Sequence, residues 1–256
     1  MMRFASLGSG SGGNALLVES GDTLILLDCG FGLADATARL ARAGREPADI
    51  DAIIVTHEHD DHVGGVGRLA RRHELPVYLT YGTLAALDRE RSTLPDAFLF
   101  DGHSSFAIGD IEVQPFPVPH DAREPVQFVL GDGAARLGVL TDIGAPTPHV
   151  AQVLSGLEAL VLECNHDRAM LEVGPYPPML KDRIGGPFGH LENAAAAQLL
   201  GELDRSRLQH VIAAHLSQQN NTAALARAAL AGVLGCETEW IGVATQDEGF
   251  GWRQIL

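Results

Sequence analysis

Residues 57–62 read His-Glu-His-Asp-Asp-His, directly behind the apolar, β-branched run Ala52-Ile53-Ile54-Val55-Thr56. A run of that character reads as a buried parallel strand. A Gly-rich segment follows at Val63-Gly64-Gly65-Val66-Gly67, and Arg68-Leu69-Ala70-Arg71-Arg72 then has helical spacing. The cluster therefore belongs on the loop leaving the carboxyl end of a strand, where open α/β sheets place their sites. Four of its side chains, His57, His59, Asp61 and His62, can bind a metal. In extended backbone His57 and His59 point the same way and can hold one ion, while Asp61 and His62 are offset and can reach a second.

The rest of the chain alternates strand and helix signals. Arg3–Leu7, Ala15–Glu19 and Thr23–Leu27 read as strands, with a Gly/Ser turn after the first. Helical spacing covers Ala34–Ala43, ending before Gly44, and Gly82–Arg91; Pro76–Thr80 reads as a strand between them. Phe98–Pro119 gives short strands around a hairpin-type turn at Gly109-Asp110. Val126–Leu130, Arg136–Leu140, Ala159–Glu163 and Val211–Ala214 repeat the sheet pattern. Asn193 is expected to cap a helix running to about Leu203, and Asn221 or Thr222 another running through Ala231.

Size and composition bound the answer. A chain of 256 residues with 46% hydrophobic content can form one domain, expected over 1–256. No apolar run is long enough to span a bilayer, and no secretory leader is visible at the start. Cys29, Cys164 and Cys236 are odd in number and widely spaced, which points to a reducing compartment, by default the cytoplasm. The net charge of −15 counts against a protein that grips many phosphates. The only basic clusters are Arg39, Arg42 and Arg45, then Arg68, Arg71 and Arg72, then Arg89 and Arg91, and solvated helix faces account for them.

His-x-His-x-Asp-His behind an apolar strand closely resembles the metallo-β-lactamase superfamily of binuclear hydrolases. Leu26-Leu27-Asp28-Cys29-Gly30, Pro119-His120-Asp121, Leu140-Thr141-Asp142-Ile143-Gly144 and Ile212-Ala213-Ala214-His215 look like its other motifs, in the family's order. The resemblance implies an α/β fold of αββα sandwich type. It assigns His57, His59 and His120 to one metal and Asp61, His62 and His215 to another, with Asp142 bridging. Nitrogen and oxygen ligands without sulfur suit zinc, manganese or iron(II). Two divalent ions a few ångströms apart can share a hydroxide and stabilise entering and leaving oxygens.

A second set of motifs is similar to the YycJ/WalJ-like group, whose described activity is 5′-to-3′ exonuclease action on DNA. It comprises Ser9–Asn14, Glu163–Asp167, Gly189–Asn193 and His215–Asn221. Glu192 stands where that group usually has serine. The cyclic phosphodiesterases of phosphonate metabolism are a more distant match and supply the alternative function, favoured by the acidic net charge. A non-catalytic module retaining the fold is a third reading, disfavoured by the complete ligand set. The resemblance gives Asp61 and His190 catalytic roles, His190 assisting the leaving group beside the metals. The Ser9–Gly13 turn either presents amides to a phosphate or is an ordinary hairpin turn, so Ser9, Ser11 and Asn14 are candidate substrate contacts. Asn165 and His166 either contact substrate or orient ligands. A nucleic-acid substrate follows from this reading; a homodimer is compatible with it.

Overall fold

The computed structural model describes residues 1–87 and 94–256. In the first half, β1 (Arg3–Gly8), β2 (Ala15–Ser20) and β3 (Thr23–Leu27) form an antiparallel meander. Helix α1 (Leu33–Arg42) leads to β4 (Ala52–Ile54), α2 (Asp60–Val63) and α3 (Val66–His73), and then to β5 (Pro76–Leu79), α4 (Tyr81–Ala86) and β6 (Asp96–Leu99). From β3 to β6 the pairing is parallel, and β3 and β4 are fully buried. The end of the helix expected over 82–91, and with it Arg89 and Arg91, lies outside the described residues.

The second half repeats this plan. An antiparallel run of β7 (Phe106–Ile108), β8 (Ile111–Pro117), β9 (Val126–Gly131) and β10 (Arg136–Leu140) comes first. After α5 (Pro148–Val153) come β11 (Ala159–Glu163), α6 (Arg168–Val173), α7 (Pro178–Ile184) and α8 (Asn193–Glu202). Next are β12 (His210–Ala214), α9 (Ala223–Leu234) and β13 (Gly242–Val243); β10 to β13 are parallel. Finally β14 (Phe250–Gln254) returns to pair with β1.

Two seven-stranded sheets result, in the orders β14-β1-β2-β3-β4-β5-β6 and β13-β12-β11-β10-β9-β8-β7. Three apolar layers hold them. The central layer packs Phe4, Ile25 and Ile54 of one sheet against Phe128, Val139 and Ile212 of the other. Outside it, Leu40 and Leu69 seal the first sheet under α1 and α3, and Leu199 and Leu230 seal the second under α8 and α9. The fold is a four-layer αββα sandwich.

Local details depart from the sequence reading at two places. Asn193 is the first residue of α8 rather than its cap, and the cap position falls to Glu192, which makes no capping bond. The Asn193 amide instead exchanges hydrogen bonds of 2.9 Å in both directions with the Asn221 amide, tying two helix starts together. Thr222 caps α9, its Oγ1 accepting from Leu225 N. The arginines of α1 are tied into the fold: Arg39 and Arg42 donate to the carbonyls of Leu7 and Asp247, and beyond the helix Arg45 pairs with Glu19.

Candidate metal centre

Five parallel strands deliver a polar side chain at their carboxyl ends: Asp28 after β3, His57 after β4, Asp142 after β10, Glu163 closing β11 and His215 after β12. Backbone conformation marks three of these sites. Asp28, Asp142 and His215 have φ of 60°, 52° and 53°, the left-handed region that residues with a side chain seldom occupy and that concentrates at functional sites. The close fit also requires glycine, since a Cβ at Gly30 would collide with the Asp61 carbonyl oxygen.

Two ligand groups form along this edge. His57 Nε2 lies 3.0 Å from His59 Nδ1, which lies 3.2 Å from His120 Nε2. Beside them Asp61, His62, Asp142 and His215 each offer one atom, all within 4.8 Å of one another, and Asp142 and His215 form a further such group with Glu163 and His190. His62 Nε2 stands 3.5 Å from Asp61 Oδ2, which is 3.3 Å from His215 Nε2. Asp142 reaches both groups, with Oδ2 3.0 Å from His62 Nε2 and Oδ1 3.9 Å from His120 Nε2.

This donor set fits a divalent metal. Around a tetrahedral ion with nitrogen bonds of about 2.05 Å, neighbouring nitrogens sit about 3.3 Å apart, close to the spacings found in the histidine trio. Asp142 Oδ2 is buried and makes no hydrogen bond of regular geometry, its near neighbour being His62 Nε2 at 3.0 Å, so a carboxylate oxygen is held out of water at the centre of the donor set.

The two groups differ in protonation. Burial, reinforced by the neighbouring His62, holds His57 well below the usual histidine range, and burial also lowers His120. Burial pulls His215 down too, but Asp142, Asp61 and Glu163 together outweigh it and push it up to about 10. His62 is raised in the same way, by Asp142, Asp28 and Asp61 against burial.

Two carboxylates without an assigned role in the sequence reading organise the histidines. Asp28 Oδ1 accepts from Thr56 N and its Oδ2 from Thr56 Oγ1, while His62 Nδ1 lies 2.8 Å from Oδ2. Glu163 is fully buried; its Oε2 accepts from Ile143 N and Leu191 N, and its Oε1 faces His190 Nδ1 at 2.8 Å and His215 Nδ1 at 3.1 Å. The signal for both was available: an acid ending an all-apolar strand has no reason to be buried unless it has partners.

The remaining candidates divide. Ser9 Oγ receives His215 N and donates to Asn14 Oδ1, and Asn14 Nδ2 reaches Asp61 Oδ2 at 3.2 Å, so both brace the ligand loops. The amides of the Ser9–Gly13 turn are largely used within the fold. Ser9 N donates to Thr245 O, Gly10 N to Asn14 Oδ1, Gly12 N to Gln246 Oε1 and Gly13 N to Gly10 O. The turn is thus a hairpin turn, linking β1 to β2, and Ser11 alone of the candidates there lines the metal cleft. Asn165 Nδ2 donates to His215 O, which fixes Asn165 Oδ1 toward His166 Nδ1. His190 lines the cleft of about 360 Å³ over the metal groups, 3.5 Å from Asp142 Oδ1. Asp121, beside His120, is held by Arg183 Nε at 2.6 Å.

The model of the β-lactamase superfamily domain matches residues 23–215, most of the chain and all of the ligand positions. The chain belongs to the metallo-β-lactamase superfamily. Within this superfamily of hydrolases it is 37% identical over 235 residues to exodeoxyribonuclease YycJ of Bacillus anthracis, covering 91% of this chain and 89% of that one. It is 31% identical over 245 residues to exodeoxyribonuclease WalJ of Streptococcus pneumoniae, covering 94% and 91%. The superfamily fold is matched by the metallo-β-lactamase fold protein YhfI from Bacillus subtilis, with a TM-score of 0.75 at 20% identity over 98% of each chain.

Proposed function

We propose that this metallo-β-lactamase-fold chain is a phosphodiesterase that carries two divalent ions, zinc or manganese, and degrades DNA from the 5′ end. The observation that carries the reading is the placement of His190. It stands beside the carboxylate shared by both ligand groups, with its Nδ1 turned to Glu163 and its ring on the cleft wall. Relatives named as exodeoxyribonucleases, similar over nearly their whole length, support the substrate class.

His57, His59 and His120 would hold one ion, and Asp61, His62 and His215 the other, with Asp142 between them. Bound divalent ions supply the positive charge that activates water and offsets charge developing on the phosphoryl oxygens. The chain's own residues do the rest. With Nδ1 bonded to Glu163, His190 presents Nε2 to the cleft and delivers a proton to the departing oxygen. Burial opposes the charged form of His190, but Glu163 outweighs it and raises its pKa, so the proton is in place near neutrality. Asp61, braced by Asn14, orients the second ligand group. Free cysteines at 29, 164 and 236 suit work in the cytoplasm.

The test is degradation of 5′-end-labelled duplex DNA by the manganese-loaded protein alongside Asp142→Ala. Release of mononucleotides or short fragments from the 5′ end, absent in the variant, is the expected result. Intact DNA in the presence of two bound metals would overturn it in favour of a small cyclic phosphodiester, the substrate that suits the net charge of −15.

A further inference from the structure

A second and larger cavity, about 780 Å³, opens behind the metal cleft, and His190 is the one described residue that lines both spaces. Helix α7 divides them: Leu180, Arg183 and Ile184 face the cleft, whereas Lys181 and Asp182 face the rear cavity. The cavity falls within the size range of small-molecule sites. Its floor carries His166, only 2% exposed, with burial lowering its pKa to about 4 so that the ring is neutral at pH 7. Because Asn165 Oδ1 faces Nδ1, that nitrogen carries the hydrogen and Nε2 remains an acceptor for a sugar hydroxyl or base N–H.

Two cations stand on the walls. Lys181 Nζ donates to Glu172 O at 2.8 Å, and Arg168 Nε pairs with Glu192 Oε2 at 3.2 Å. Arg168 is exposed, so its pair with Glu192 is weak, and a phosphate competes for it on favourable terms. Acidic Glu172, Asp182 and Glu192 on the same walls limit how much phosphate the cavity can take, which suits one terminal group and disfavours a long backbone.

We infer that this rear cavity is the pocket for the 5′-terminal nucleotide, with the terminal phosphate between Arg168 and Lys181. The inference rests on the nuclease reading above. It follows from the side of the scissile phosphate on which His190 stands: the group that receives its proton departs toward the rear cavity. Water adds to the phosphorus of the first linkage, which joins the terminal to the penultimate nucleotide, and the P–O3′ bond breaks. O3′ of the terminal nucleotide takes the proton from His190; of the two protons of the attacking water, one restores His190 and the other is lost to solvent. A 5′-mononucleotide is left in the rear cavity, and the shortened strand keeps a new 5′-phosphate at the cleft.

The experiment is calorimetric titration of the manganese-loaded full chain with deoxyadenosine 5′-monophosphate and with deoxyadenosine, in the parent and in Arg168→Glu, Lys181→Glu and the double variant. The nucleotide should bind at least about ten-fold tighter than the nucleoside in the parent, and the double variant should lose that advantage while melting like the parent. Parallel digestion of 5′-phosphorylated and 5′-hydroxyl strands should favour the phosphorylated one in the parent alone. An advantage that survives in the double variant places the phosphate at the metals and overturns the assignment. Degraded DNA with no 5′-phosphate preference overturns the pocket and leaves the nuclease reading standing. Charge-dependent nucleotide binding without any DNA degradation does the reverse.

Discussion

His190 Nδ1 lies 2.8 Å from Glu163 Oε1, and that oxygen is also 3.1 Å from His215 Nδ1. One buried carboxylate thereby orients both the proposed proton donor and a ligand of the second metal group. Glu163 is itself held down to about 2: burial raises its pKa, but His190 and the hydrogen bonds from both histidines outweigh that.

Glu163→Gln should keep the shape of the site and lower kcat by about 10- to 100-fold. His190 is raised by Glu163, so its acidic form persists to higher pH and activity falls as pH rises through the raised value. Removing the carboxylate should move that alkaline limb to lower pH. A kcat–pH profile checks this; an unmoved limb would assign it to another group. His190→Ala should keep metal content while lowering kcat by about 10²- to 10⁴-fold.

Metal uptake should release protons. His215, pushed up to about 10, and His62, also raised, carry protons at pH 7 that must leave before their nitrogens can ligate. His57 and His120, both lowered, are neutral there and release none. Calorimetry in buffers of different ionisation enthalpy should show about one proton or more released per chain, with affinity of the second group rising with pH. Proton-neutral uptake of both ions would contradict the protonation difference between the groups.

Thiol reagents at pH 8 should modify Cys236 first. Burial pushes Cys29 up to about 12 and raises Cys164 further, so neither is a thiolate in the folded chain. Cys236 is partly exposed. Counting reacted thiols before and after denaturation tests this, with one expected before and three after.

Phe128→Ala should destabilise the chain by about 3–5 kcal/mol, because Phe128 is fully buried between the two sheets and the rigid layers cannot close around the void. Denaturant unfolding measures the loss. A cost below about 1 kcal/mol would mean that the central layer repacks.

Much of the site was legible because it is local. His57 to His62 supplies four ligands from six positions, and Asp142 and His215 each end an apolar strand, so pattern alone marks them. Glu163 also ends an apolar strand, but its role depends on His190 and His215, 27 and 52 positions away, and no local pattern marks it. The cap expected at Asn193 failed for a related reason: Asn221 lies 28 positions on and competes for its amide. In the N-terminal turn, glycine and serine fitted an anion nest and a hairpin equally, and Gln246 from the far end of the chain helped decide for the hairpin.

By itself, the sequence determined which residues reach the open edge, because strand periodicity and the residue following each strand are written in consecutive positions. Only the tertiary structure decided which histidines hold protons, which carboxylate steers His190 and that a second cavity lies behind it. Those properties depend on burial and on charges brought together from both halves of the chain, and no local spacing encodes them.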